Sequence, residues 1–327
     1  MKKIPPFIWI LCVLICGQGC DENKAPTSNT SNPSPAIKRR IAFVTNTTND
    51  FWATVRGGCN NAAQNLGDVD LDFRFFTDST VAAQNAVVSN LVAGGVAGIA
   101  ISPIDAEKQT EFLSQVAAKT LLVCVDSDAA KSKRACFIGS DNVAAGKQAA
   151  DLLKAALPQG GKIICCVGYT NAQNAKDRIQ AIRDGLAGSN IQLIDTLEDG
   201  AKADVAEKNA AEALAKHTDL AGLVGVYSYN GPAILNAVRA AGKAGKVKIV
   251  CFDDDNATLD GIAAGDIHGS VIQISTRIGY ETISRMDKYL GGDKTQLAEG
   301  MVHFKTIPVN QSMVESFKVY RQNVRQP

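Results

Sequence analysis

The chain has 327 residues, 46% of them hydrophobic, and its 34 Lys and Arg against 33 Asp and Glu leave a formal net charge of +1. That balance, which falls to −1 once the leading Lys2 and Lys3 are set aside, offers no basic patch for nucleic acid. The length suffices for two lobes of ordinary domain size, each with a core of its own.

Lys2 and Lys3 precede an apolar stretch over 7–15, too short to span a bilayer and laid out like a secretory signal peptide. It runs into Gly17-Gln18-Gly19-Cys20. This resembles a bacterial lipoprotein cleavage site with Cys20 as the lipidated N-terminus, although such sites prefer an aliphatic residue where Gly17 stands. Residues 1–19 are therefore expected to be a signal peptide, with an uncleaved anchor as the alternative. Residues 20–36, rich in Asn, Ser, Thr and Pro and without apolar periodicity, are expected to tether the protein to a cell-envelope membrane. A single acyl chain binds membranes only marginally, and lipoprotein processing supplies several.

From residue 37 onward, short apolar runs alternate with stretches of helical period. The pattern predicts a strand at 41–44, a helix over 51–66, a strand over 71–76, a helix over 81–93, a strand over 98–101, a helix over 106–118 and a strand over 121–125. The rhythm returns with a strand over 162–167, a helix through 186, a strand over 192–197, a helix over 204–217, a strand over 223–226, a helix over 232–241, a strand over 248–252 and a helix over 276–290. Such alternation with right-handed crossovers specifies an α/β fold of two doubly wound, Rossmann-like parallel-sheet lobes side by side.

The two series are one pattern written twice. Val123-Cys124-Val125-Asp126 and Val250-Cys251-Phe252-Asp253 lie 127 residues apart. Gly98 to Pro103 is echoed by Gly222 to Tyr227, and the strand from Ile41 by the strand from Lys162. An apolar run closing on a carboxylate reads as the C-terminal end of a buried parallel strand, and open α/β sheets bind ligands outside those ends. Two halves therefore bring Asp126 and Asp253 to one cleft, the default ligand site.

Nine cysteines do not make a disulfide framework here. Cys12, Cys16 and Cys20 belong to the export segment, and Cys124, Cys165, Cys166 and Cys251 sit in strand patterns as small buried side chains. Cys59 and Cys136 stay open to either role. There is no Cys-x-x-Cys, and His217, His268 and His303 lack ligand spacing, so neither a metal nor a cofactor is expected.

Several residues at the strand ends suit a neutral, hydroxyl-rich ligand. Phe51 and Trp52 open a helix directly after the first strand, where their faces can stack on a sugar ring, with core packing as the competing role. Asn46 and Asn49 can bond hydroxyls or simply cap the turn. Asp126 and Asp253 can each accept two adjacent hydroxyls, and Arg178 is the matching fork of donors. The competing roles are helix capping for the carboxylates and a surface ion pair with Asp177 or Asp184 for Arg178.

The segment from Ile41 to Trp52, Ser102-Pro103, Asp126, Ile138 to Asn142 with Gly146, the helix start from Asn174 to Arg178, Asn230, Cys251-Phe252-Asp253 and Gln273 resemble, in order and spacing, the ribose-binding-protein type of periplasmic sugar-binding proteins. The likeness covers nearly the whole chain beyond residue 37. It implies a solute-binding subunit of an ABC sugar importer that closes by hinge motion over a monosaccharide, working as a monomer with a permease and its ATPase. The implied ligand residues are Phe51, Trp52, Asp126, Arg178, Asn230, Asp253 and Gln273, with Asn46, Ser102 and Ser127 beside them. The implied lobes are 37–141 with 274–300, and 142–273 with 301–327. Two departures bear on specificity: Ser127 stands where the family has Arg, and Ser102 where Asn is usual. Losing a bidentate guanidinium leaves the sugar undefined, and the acidic surplus also admits an amino sugar or another small polar ligand.

Rival classes find less support. No phosphate-binding Gly-Lys-Ser/Thr loop, Gly-x-Gly-x-x-Gly after a strand or Gly-x-Ser-x-Gly is present, so an enzyme is not expected. A repressor sharing this fold would carry a DNA-binding helix-turn-helix where the export segment stands. A receptor ectodomain signalling to a membrane kinase is the remaining alternative to transport.

Overall fold

The computed structural model describes residues 38–325 apart from Ser79. The expected signal peptide, the lipidation at Cys20 and the tether lie outside the described residues. The first series runs β1 (Arg39–Val44), α1 (Asp50–Leu66), β2 (Val69–Arg74), α2 (Val81–Ala93), β3 (Gly98–Ile101), α3 (Ala106–Ala117), β4 (Leu121–Val125) and β5 (Cys136–Ser140). The second runs α4 (Asn142–Ala156), β6 (Gly161–Val167), α5 (Gln173–Gly185), β7 (Ile191–Glu198), α6 (Ala203–Lys216), β8 (Leu220–Gly225), α7 (Asn230–Ala240), β9 (Lys248–Phe252), α8 (Asn256–Ala264) and β10 (Gly269–Ile272). The chain ends with α9 (Ser275–Leu290), β11 (Met301–Phe304), β12 (Ile307–Asn310) and α10 (Val314–Arg325).

The strands form two six-stranded sheets, ordered β11-β5-β4-β3-β1-β2 and β12-β10-β9-β8-β6-β7. Apart from their edge strands, the two orders are the same winding, with the order reversing beside β1 and β6. Every pairing is parallel except that of β12 with β10. Central strands such as β3 and β4 are apolar and buried almost throughout, because helices cover both faces of a parallel sheet.

The chain passes between the sheets three times. After β5 it enters α4, which packs on α5, β9 and β10; after β10 it enters α9, which packs on α1, β1 and β4. Each sheet thus takes one helix from the far side of a crossing. The third crossing corrects the expected boundary near Met301. Met301 pairs with Phe137 and Phe304 with Ser140, and Phe304 is buried in the first core, so β11 belongs to the first sheet and the crossing falls at Lys305 and Thr306. Four residues, exposed at Met301 and His303, half-buried at Val302 and buried only at Phe304, carry too little apolar period to be assigned a sheet in advance.

Packing at the helix crossings depends on missing side chains. A Cβ on Gly58 of α1 would stand 1.9 Å from the Thr276 carbonyl, and one on Gly279 of α9 2.1 Å from that of Val55, so backbones meet directly there. The Cys59 thiol reaches the Gly279 carbonyl at 3.5 Å in the same crossing. Cys59, Cys124, Cys136, Cys165, Cys166 and Cys251 are all buried and free. Among the described residues no helix is long and apolar enough to cross a membrane.

Candidate functional site

The two strand-end carboxylates sit in matching backbone positions. Asp126 follows β4 with φ 63° and Asp253 follows β9 with φ 67°, a left-handed conformation that side-chain-bearing residues adopt only at a cost of about 1–2 kcal/mol. Neighbouring strands hold both in place. The Asp126 N–H donates to the Ile138 carbonyl at 3.2 Å and the Asp253 N–H to that of Val271 at 3.0 Å. The Asp126 carbonyl accepts from Asn142 Nδ2 at 3.3 Å and the Asp253 carbonyl from Ser270 Oγ at 2.6 Å.

Both carboxyls are turned into the gap between the sheets. Asn174 Nδ2 donates to Asp126 Oδ2 at 2.8 Å, and Gln273 Nε2 to Asp253 Oδ1 at 3.0 Å. Burial disfavours their charged forms and lifts Asp126 to about 6 and Asp253 to about 7, with Arg178 pulling both the other way. Arg178, on α5, is 1% exposed. Its Nε donates to Asn142 Oδ1 at 2.8 Å and its Nη1 to the Val226 carbonyl at 3.0 Å. The guanidinium lies 4.7 Å from the Phe252 ring centre and 3.8 Å from Asp126 Oδ1. It is a buried fork between the lobes, so the surface ion pair is not its role.

Facing these charges is the start of α1. Asn49 caps the helix by accepting from the Trp52 N–H at 3.2 Å, and Trp52 Nε1 donates to Asn46 Oδ1 at 3.0 Å. The Phe51 and Trp52 rings meet edge to face at 4.9 Å. Both lie in the first lobe's core and on the cavity wall, so core packing and cavity lining are not alternatives for them.

The cavity between the lobes is narrow, about 20 Å³. The first lobe supplies Asn46, Thr47, Asn49, Phe51, Trp52 and Asp126, the second Asn174, Arg178, Tyr227, Ser228 and Asp253, and Gln273 stands at the second crossing. The lobes touch around it: besides Asn174 on Asp126, the Gln173 N–H donates to Ser127 Oγ at 3.1 Å, Tyr169 Oη to the Asn46 carbonyl at 3.5 Å, and Lys176 pairs with Glu107 at 3.4 Å.

Ser102, Ser127 and Asn230 were expected at the ligand and do not line the cavity. Ser102 is fully buried after β3, its carbonyl accepting from Gln84 Nε2 at 2.9 Å. Ser127 spends its hydroxyl on the contact between lobes. Asn230 accepts from the Tyr227 N–H at 2.9 Å and donates to Asp199 Oδ2 at 2.9 Å, so its amide is consumed behind the wall. Asn174, Tyr227 and Ser228 were missing from the expected set. Asn174 lies one helical turn before Arg178 and so on its face, and Tyr227 with Ser228 follows β8, so the rule of strand ends would have reached them.

The arrangement favours a small donor-rich solute. Asp126, Asp253 and Gln273 present acceptors, aromatic faces supply an apolar wall, and Arg178 supplies a fixed donor. Arg178 Nη2, 3.8 Å from Asp126 Oδ1, and Gln273 Oε1 are buried without a hydrogen-bond partner, which costs free energy until a bound molecule or water completes them.

Known proteins share this architecture. The ribose import binding protein RbsB of Salmonella typhimurium is 26% identical over 275 residues, covering 82% of this chain and 90% of that one. A solute-binding protein from Agrobacterium vitis bound with alpha-D-tagatopyranose superposes with a TM-score of 0.80 at 25% identity, covering 87% of this chain and 98% of that one. One from Agrobacterium radiobacter in complex with D-arabinose gives 0.81 at 22% identity over the same shares, a likeness of fold. Residues 41–294 match the periplasmic binding protein domain, and the chain belongs to that family.

Proposed function

We propose that the protein is the solute-binding subunit of an ABC sugar importer. A monosaccharide enters between the lobes, its hydroxyls bonded by Asp126, Asp253, Arg178 and Gln273 and its ring face laid on Phe51 and Trp52. The observation that carries this reading is the pair of buried atoms that lack a hydrogen-bond partner, Arg178 Nη2 and Gln273 Oε1, in a cavity that also holds two opposed carboxyls. Hydroxyl groups both donate and accept, so one sugar satisfies all four. The ribose and tagatose named for the relatives fit that chemistry.

Binding closes the lobes, 37–141 with 274–304 against 142–273 with 306 onward, about the three crossings. A ligand touching Asp126 in one lobe and Asp253 in the other favours the closed state, because only differential affinity shifts such an equilibrium. The closed form is then presented to a membrane permease and its ATPase by an exported monomer anchored through lipid at Cys20. Bound sugar leaves unchanged, since the carboxyls are spent on hydroxyl recognition.

Trp52 is the sole tryptophan beyond Trp9, so its fluorescence reports the cavity directly. Titration with pentoses, hexoses and amino sugars should change that emission and raise the melting temperature for at least one of them. A panel giving neither response overturns sugar binding, and preference for an amino sugar over its neutral parent redirects the reading to a cationic ligand.

A further inference from the structure

One more buried carboxylate, outside the cavity, is unexplained by ligand contact. Asp199 follows β7 and is 4% exposed, and among the described residues no lysine or arginine pairs with its side chain. Neutral donors do. Its Oδ1 accepts from the Ala201 N–H at 2.9 Å and from the Tyr229 hydroxyl, and its Oδ2 accepts from Asn230 Nδ2 at 2.9 Å. Its own N–H donates to the Val167 carbonyl at 3.0 Å, fixing it to the end of β6. Burying an anion on such terms is costly.

What the carboxylate does is settle which way an amide points. With Asn230 Nδ2 held by Asp199, the Asn230 oxygen is left for the Tyr227 N–H at 2.9 Å. Tyr227 and Ser228 are part of the cavity wall, and the Tyr227 hydroxyl donates to Asn174 Oδ1 at 3.3 Å, whose amide nitrogen holds Asp126. The chain of bonds thus runs from Asp199 through Asn230, Tyr227 and Asn174 to Asp126. Space for it is kept by Gly168, where a Cβ would stand 2.6 Å from the Tyr227 ring and 2.8 Å from the Tyr229 hydroxyl.

We propose that Asp199 is a positioning residue for the cavity: by accepting from Asn230 and Tyr229 it orients the turn that carries Tyr227 and Ser228, and so sets sugar affinity without touching the sugar. This rests on the sugar-binding reading above, and the parent protein separates the two, since a parent that binds no sugar ends that reading before any variant is made.

With a sugar identified for the parent, D199N should weaken binding by about tenfold or more, the size of a lost hydrogen bond to a charged group, with the circular dichroism unchanged. The reciprocal variant D199N/N230D exchanges amide and carboxylate, so every donor still meets an acceptor, and should recover affinity to within about threefold of the parent. A general structural role for Asp199 predicts no such recovery. Tyr229→Phe, which removes one donor and keeps the ring, decides the matter if D199N does not fold, with an expected loss of about threefold. Parent affinity in D199N or in Tyr229→Phe, or a double variant as weak as D199N, overturns the proposal.

Discussion

Asp126 and Asp253 adopt one backbone conformation, φ 63° and φ 67°, at the ends of strands 127 residues apart in sequence, and meet across a single cavity. Each is held by a bond from its N–H to the next strand and by a side chain on its carbonyl. The duplicated pattern therefore extends to the strained geometry of the two strand-end carboxylates.

That burial makes the unliganded protein sensitive to pH. Asp126 at about 6 and Asp253 at about 7 lie above their ordinary value of 3.8, so between roughly pH 4 and pH 7 the folded state holds more protons than the unfolded one, and stability contributed by these groups falls as pH rises. The variant D253N should melt above the parent at pH 8 and lose that advantage at pH 4. Melting curves that stay parallel across the range contradict this.

Sugar hydroxyls donating to the carboxylates favour the charged forms, so the complex holds fewer protons than the free protein. Affinity measured by titration should rise from pH 5 to pH 8, most steeply on a logarithmic scale below about pH 6, and level off above about pH 7, where both groups have ionised. A flat profile means that the sugar does not bond these carboxyls.

Arg178 is held by Asn142, by the Val226 carbonyl and by the Phe252 face. R178K keeps the charge and loses the planar fork, and should weaken binding by about 100-fold. R178M also leaves Asp126 buried without its neighbouring cation and should cost about 3 kcal/mol in chemical denaturation. Parent-like binding in R178K places the guanidinium outside ligand recognition.

A Cβ on Gly146 of α4 would lie 2.5 Å from the Arg178 carbonyl. G146A should therefore cost about 1–3 kcal/mol through overpacking and lower sugar affinity as well, because α5 must move with Arg178 on it. G261A, whose Cβ meets Ile267 at 2.8 Å in the second lobe's core, should reduce stability alone. Equal affinity in the two variants shows that α5 is not tightly coupled to the site.

Trp52 links core and cavity through its bond to Asn46. W52F leaves the Asn46 oxygen without that donor and should reduce affinity by about tenfold while abolishing the ligand-dependent emission of the described region. Emission that still responds in W52F assigns the signal elsewhere.

The amino-acid sequence by itself determined the α/β architecture and its duplication, because apolar runs such as Leu121–Val125 and Lys248–Phe252 are covered on both faces and keep the same pattern wherever a parallel sheet requires it. It also located Asp126, Asp253, Arg178 and Trp52, since strand ends and helix starts are local features. Elements with weak period stayed hidden: β5 is short and ends in Gly139-Ser140, and α4 is rich in Ala and Gly. Only the tertiary structure decided that β11 joins the first sheet, that Asn174 and Tyr227 face the cavity, and that Asn230 turns away to Asp199. Those outcomes depend on which buried donor finds which acceptor across loops far apart in the chain, and hydrogen bonds of that range leave no periodic trace in the residues that make them.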